Sequence, residues 1–316
     1  MKDIIAIGNS PVDILTHVDD DLLTKYHLKK GDYQSITLNT LKNLKSECTI
    51  TRSQPGGSIA NTAYHMAKLG SKVGFIGHFG VDEAGMLFEN EMVNAGVIVT
   101  PGIHGSQTTE ILTLITPDGE RTFATIGITS HISPAMIDEE TISNSRWLLI
   151  EGYLFGKQYE AAKKAMNIAR KHGVKIALTM ASESTLHKHF DEISTEIENG
   201  VNLIIANNKE LKTLIESAED SGHAIINKIH STPRIITSSG DGATYSNAKK
   251  PITVPTIKVS APVDTTGAGD SFAAGFLHYY INKHPIDDAI KFGHTLASKV
   301  IMQTGARLHD DLSFID

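Results

Sequence analysis

The sequence predicts an α/β fold: a mostly parallel sheet covered by helices on both faces, with a second, smaller sheet beside it. Two observations predict the main body. Short, almost wholly apolar runs such as "DIIAIG" (3–8), "KVGFIG" (72–77), "RWLLIEG" (146–152), "KIALTM" (175–180) and "VNLIIAN" (201–207) read as strands buried on both faces. Amphipathic segments of helical length separate them, which is the alternation of a parallel sheet. A third observation predicts the appendage. "VDILTHV" and "GDYQSITL" within 11–50, and "ILTLITPDGERTFATIG" within 98–128, alternate polar with apolar residues. That alternation means one wet and one covered face, and the Pro-Asp-Gly turn makes the second segment a hairpin.

The remaining elements follow in order. "SIANTAYHMAKLG" (58–70) is a helix closed by Gly70, and 82–96 is a helix that begins with acid and ends at Gly96. A helix at 157–172 stops at Gly173, another covers 208–217, "PRIITSSG" (233–240) is a strand and "ITVPTIKV" (252–259) is strand-like. Helices at 268–282 and 286–303 close the chain. In the first of these, Phe272, Phe276 and Tyr280 recur at four-residue spacing, flanked by Ala273 and Leu277. The expected division is a core of 1–10, 51–97 and 129–316 with a lid of 11–50 and 98–128. A lid excludes water and completes a site on closure; a fixed sheet extension is the plainer alternative.

Composition narrows the function. The 316 residues are 40% hydrophobic, enough for one large core, and 21% charged with a formal net charge of -7. A broad basic footprint for nucleic acid is therefore not expected. No apolar run approaches membrane-spanning length, "MKDIIAIGNS" is too short for a signal peptide, and the single Cys48 permits no internal disulfide. These features predict a cytoplasmic protein without nucleic-acid or membrane partners. The tight histidine cluster "HKH" (187–189) has no second ligand group at zinc-site spacing and reads as exposed helix surface.

The stretch "PVDTTGAGDSFAAGF" (262–276) carries the chemistry. Gly267-Ala268-Gly269 lets a ligand approach the backbone, and the helix that follows presents unpaired N–H groups and partial positive charge. Such a place binds phosphate. Asp270, in the first turn, suits the helix dipole, but Asp264 adds a second carboxylate and Thr265 and Thr266 add hydroxyls. The G-x-x-x-x-G-K-[ST] phosphate loop is missing, so a phosphate site here is of another kind.

"DTTGAGDSFAAGF" resembles the C-terminal signature of the ribokinase, or PfkB, family of carbohydrate and nucleoside kinases, and "QPGGSIANTA" (54–63) is similar to its N-terminal signature. The resemblance covers nearly the whole chain and implies a ribokinase-like three-layer sandwich with a small β-sheet lid. It implies that Gly267, Ala268 and Gly269 form an anion hole for the transferring phosphoryl group and that Asp270 is the base. Asp13, in "GNSPVD", matches the aspartate that holds sugar hydroxyls. Gly57 and Asn61 match acceptor contacts, with Gly56-Gly57 as a hinge. Arg121 matches a lid arginine that closes over phosphate or substrate. "NNKE" (207–210) matches the N-x-x-E pattern, which places Asn207 at the nucleotide and Glu210 at magnesium waters, although relatives often carry an acid at position 208. "TSSGDGA" (237–243) matches the nucleotide turn through Thr237, Gly240 and Gly242.

ATP and Mg2+ are thus the expected cofactors, with K+ held by Asp264 and Thr266 as in many relatives. "GNSPVD", "LLTKYHLKKGDYQSI", "IEGYLF" and the terminal "GAR" (305–307) look most like the adenosine-kinase branch, with nucleoside and free sugar both open as acceptor. The different class kept beside this one is a catalytically silent sugar- or nucleotide-binding regulator on the same fold. A homodimer paired through an uncovered face of the lid sheet is a further expectation.

Overall fold

The computed structural model describes residues 1–100, 102, 104, 106–127, 131–220, 225–247, 249–309 and 312. The expected boundary at 128/129 and the last four residues of the expected core lie outside this set. The large sheet is built from β1 (Lys2–Ile7), β5 (Val73–Ile76), β6 (Ile98–Val99), β9 (Ser145–Glu151), β10 (Lys175–Thr179), β11 (Leu203–Asn207), β12 (Arg234–Thr237), β13 (Ala243–Ser246) and β14 (Ile252–Val254). Its order is β14-β13-β12-β11-β10-β9-β1-β5-β6, with β13 antiparallel to both neighbours and every other pairing parallel.

Its central strands are apolar over their buried stretches because they face two cores, as the period of two demands. Ile4 and Ala6 of β1, with Trp147 and Leu149 of β9, face one core; Ile5, Ile7, Leu148 and Ile150 face the other. The first core is closed by α3 (Ser58–Lys68), α4 (Glu83–Asn94), α11 (Ala268–Ile281) and α12 (Ile286–Val300). The second is closed by α5 (Glu139–Ser143), α6 (Tyr159–Lys171), α7 (Glu183–Lys188), α8 (Phe190–Gly200), α9 (Asn208–Asp220) and α10 (Ile225–Ser231). This is the expected three-layer sandwich. His187 and Lys188 are exposed on α7, as expected of the histidine cluster.

The second sheet holds β2 (Val12–His17), β3 (Tyr33–Ser35), β4 (Ile50–Pro55), β7 (Glu110–Ile115) and β8 (Arg121–Thr125), in the order β3-β8-β7-β2-β4. The β7–β8 pair is the expected hairpin. Two boundaries differ from those expected. β4 belongs to this sheet although 51–97 was assigned to the main body, and β6 extends the large sheet although 98–128 was assigned to the lid. "ITVPTIKV" is strand only as far as Val254.

Two helices also appear where only alternation was read, α1 (Asp20–Lys25) and α2 (Leu38–Glu47). Their Leu23, Leu41 and Leu44 are buried in one cluster with Val12, Ile14, Leu112 and Leu114 of the sheet. The chain's own helices therefore cover that face of the sheet. Among the described residues no helix is long and apolar enough to cross a membrane.

α11 and α12 cross closely, and that crossing sets the position of the glycine-rich loop. A Cβ on Gly275 would lie 3.0 Å from the Cα of Gly293, and one on Gly293 would lie 2.9 Å from the Phe272 ring. The Phe272, Phe276 and Tyr280 rings stack along α11, with centroids 6.2 and 5.1 Å apart. Gly275→Val is expected to force the helices apart and destabilise the protein by about 1–3 kcal/mol. Thermal melting of the variant against the parent measures this.

Candidate active site

Asp270 sits in the first turn of α11, where Gly267 serves as N-cap in the left-handed conformation, φ 77°. A side chain there would also run into Ala306, so glycine is required twice over. Ala268 N–H donates to the Thr265 carbonyl at 3.2 Å, so the turn already uses one of the three N–H groups expected for the anion hole. The N–H groups of Gly267 and Gly269 have no acceptor among the described residues.

The Asp270 carboxylate is gripped from α3. Its Oδ1 accepts a hydrogen bond from Ser58 Oγ at 2.6 Å and its Oδ2 one from Asn61 Nδ2 at 2.8 Å. Asn61 is itself oriented, because its Oδ1 accepts from Arg307 Nε at 2.9 Å. Arg307 is buried over the Tyr64 ring and paired with Glu91 at 2.9 Å. Burial raises the pKa of Asp270, against the pull of the Ser58 and Asn61 hydrogen bonds and the Arg307 charge. A carboxylate tuned upward in this way is suited to accept a proton near neutral pH.

Two more carboxylates stand close by. The Asp13 carboxylate, on β2, has no hydrogen bond to any described residue, and burial pushes its pKa up to about 6 against the charge of Arg307. A Cβ on Gly56 would collide with this carboxylate, and Gly57 caps α3 with φ 91°. Glu151, at the end of β9, accepts from the Asn9 N–H at 2.8 Å and Asn9 Nδ2 at 3.1 Å, while its buried Oε2 has no partner within hydrogen-bond distance among the described residues. Burial pushes Glu151 to about 7, against the Asn9 hydrogen bonds and with a further push from the Asp270 charge.

Two hollows meet at the glycine-rich loop. A cavity of 790 Å³ is lined by Thr237, Gly240, Gly242, Gly269, Phe272 and His294 among others. A narrower cleft of 150 Å³ is lined by Ser58, Asn207, Glu210, Thr237, Gly269 and Asp270 among others, so Thr237 and Gly269 border both. Gly242 turns the β12–β13 connection at φ 103°, where a side chain would strike the Val254 carbonyl.

Asn207 and Glu210 form a reciprocal cap at the start of α9. Glu210 N–H donates to Asn207 Oδ1 at 2.9 Å and Asn207 N–H to Glu210 Oε2 at 2.9 Å. Burial raises the pKa of Glu210. Among the described residues no three His, Cys, Asp or Glu side chains gather closely enough to hold a metal by themselves.

The last of the expected residues lie at the rim. Asp264 Oδ1 accepts from Thr266 N–H at 3.0 Å and Thr266 Oγ1 at 2.7 Å, and Oδ2 accepts from Gly305 N–H at 3.0 Å. Burial opposes ionisation of Asp264, but these hydrogen bonds outweigh it and hold the pKa below the usual value. Arg121 reaches this group from β8, with Nη1 3.9 Å from Asp264 Oδ1.

Sequence reading missed Ser58, Glu151, His294 and Arg307 as site residues. Ser58 and Arg307 lay inside quoted motifs without a role. The one signal for Glu151 was an acid ending the apolar run "RWLLIE".

The family model described as pfkB family carbohydrate kinase matches residues 23–311. A curated relative, the 5-dehydro-2-deoxygluconokinase of Bacillus subtilis (strain 168), is 28% identical over 289 residues, covering 84% of this chain and 87% of its own. The structure of adenosine kinase from Sinorhizobium meliloti matches with a TM-score of 0.84 at 27% identity, covering 99% of this chain and 97% of its own. A probable sugar kinase protein from Rhizobium etli CFN 42 also matches with a TM-score of 0.84 at 27% identity, over 99% of this chain and 96% of its own. Joined to the three-layer sandwich and to a carboxylate set in a glycine-rich helix start, these matches make the chain a member of the pfkB family of carbohydrate kinases, phosphotransferases with an alcohol group as acceptor.

Proposed function

We propose that this chain transfers the γ-phosphoryl group of ATP to a hydroxyl of a sugar or nucleoside, with Asp270 as general base. The observation that carries this reading is the seating of Asp270 beside Gly269, where the 790 Å³ cavity and the narrower cleft meet. The larger cavity has the volume of a small-molecule site and takes the nucleotide against Thr237, Gly240 and Gly242, with His294 beside them. Its γ-phosphate then lies at the start of α11, where the free N–H groups of Gly267 and Gly269 and the helix dipole stabilise charge on the phosphoryl oxygens.

The acceptor is held between Asp13 on the small sheet and Asn61 on α3, next to Gly57. Asp270 takes the proton of the attacking hydroxyl, and Ser58 and Asn61 fix the direction of its oxygens. Glu210 and Asn207 fit a magnesium ion held mainly by phosphates and water, and that ion supplies charge neutralisation on the phosphates. The small sheet closes over the acceptor about Gly56-Gly57, which takes a backbone angle closed to other residues at position 57.

Both acceptor classes stand in the reading because relatives are named for each. The experiment is ATP turnover with a panel of nucleosides, pentoses and hexoses. Phosphorylation of one class is expected, and binding of ATP without turnover on any acceptor would overturn the assignment.

Asp270→Asn keeps the shape and loses the base. Its kcat is expected to fall by at least about 10², with ATP affinity nearly unchanged. Steady-state kinetics beside ATP titration checks this, and near-parent turnover would reduce Asp270 to a helix-dipole residue.

Asp13 gives a pH prediction. Its folded pKa of about 6 lies above the unfolded value of 3.8. Its contribution to stability is therefore fully present below pH 3.8 and is lost as pH rises through about 6. Asp13→Asn is expected to melt with the parent at pH 4 and above it at pH 7, a difference read by thermal denaturation across that range. The same variant is expected to weaken acceptor binding.

A further inference from the structure

The resemblance implies a monovalent cation at Asp264 and Thr266, and the charges at that place do not fit one. Oδ1 of Asp264 accepts both the N–H and the hydroxyl of Thr266, and Oδ2 accepts the Gly305 N–H. The side chain is only 8% exposed, and the Arg121 guanidinium stands 3.9 Å from its Oδ1. A second guanidinium borders the turn that holds Gly305. Arg52 of β4 donates from Nη1 to the Thr304 carbonyl at 2.8 Å, and its Nη2 lies 3.4 Å from His309 Nε2. Thr304 directly precedes Gly305, so both arginines bear on the junction between the Asp264 loop and the 304–306 turn. Gly267 packs against Ala306 of that turn.

We infer that Arg121, backed by Arg52, supplies at Asp264 the positive charge that a monovalent cation would bring, so that phosphoryl transfer by this chain does not need potassium. A guanidinium stays charged at every working pH and matches a carboxylate edge. A potassium ion brought into contact with Asp264 would meet a like charge within ion-pair distance. Both arginines sit on strands of the small sheet, Arg121 on β8 and Arg52 on β4. The charge beside the glycine-rich loop is therefore delivered by that sheet and not by the solvent. Arg121 acts here as a positioning and charge-supplying residue, without touching the transferred group.

The inference rests on the kinase reading above, and its test separates the two. The parent and Arg121→Gln are compared in potassium, sodium and choline chloride at one ionic strength, by kcat and KM and, independently, by melting temperature. The parent is expected to turn over and to melt alike in all three salts. Arg121→Gln is expected to lose about tenfold in kcat in choline and to recover part of it in potassium chloride. Its melting temperature should rise in potassium relative to choline, which the parent's does not.

A parent that runs several-fold faster in potassium than in choline, or melts higher in it, overturns the inference. A variant whose loss no salt restores, and whose melting no salt shifts, also overturns it and leaves Arg121 acting on substrate alone. If no acceptor is turned over at all, the kinase reading fails, while the melting comparison still decides whether potassium binds.

Discussion

A carboxylate in the first turn of a helix whose N-terminus, on the proposed reading, also receives phosphate is the constraint on which this structure depends. Two anions cannot share one pole, so Asp270 has to face away from the free N–H groups of Gly267 and Gly269. α3 enforces that direction by supplying both donors, Ser58 Oγ and Asn61 Nδ2. Thr62 adds a hydrogen bond to the Asp270 carbonyl at 3.1 Å, which locks the two helix starts together. The orientation of Asn61 follows in turn from Arg307, because a guanidinium donates only and compels the amide oxygen toward it. Arg307 is buried, and Glu91 of α4 balances its charge. A line of alternating demands thus runs from α4 through the 305–307 turn and α3 to Asp270.

Much of this was legible in the sequence, for physical reasons that also explain what was not. A strand buried on both faces must be apolar throughout, so "DIIAIG" and "KIALTM" announced β1 and β10 within a residue or two. The loop before α11 was legible because its demands are local: a left-handed cap, small residues and one acid. α1 and α2 were not legible, because α2, "LNTLKNLKSE", turns only Leu41 and Leu44 inward and α1 is a single polar turn and a half. β4 was hidden for the same reason. "ITRSQP" is a mostly exposed edge strand whose Arg52 answers a carbonyl at the far end of the chain. Glu151 and Arg307 acquire their surroundings only when distant segments fold over them, and no local pattern records that.

The electrostatics of the cleft bear on what it binds. Asp13, Glu151 and Asp270 are three buried carboxyl groups whose pKa values burial raises, and Arg307 is the buried cation whose charge acts on Asp13 and Asp270. Burial has pushed Asp13 to about 6 and Glu151 to about 7, so the protein holds these groups at some expense in stability near neutral pH. Among the described residues the Asp13 carboxylate has no donor within hydrogen-bond distance, and neither has the Glu151 Oε2. A buried acceptor without a donor is unfavourable, by about 1–3 kcal/mol in protein mutational data. A neutral polyhydroxyl molecule brings donors and no charge, whereas an anionic acceptor would add repulsion beside the Asp270 carboxylate that lines the cleft. On the proposed reading a sugar or nucleoside hydroxyl therefore approaches Asp270 from the cleft, and the negative phosphates are kept to its other side, where α11 presents its N–H groups.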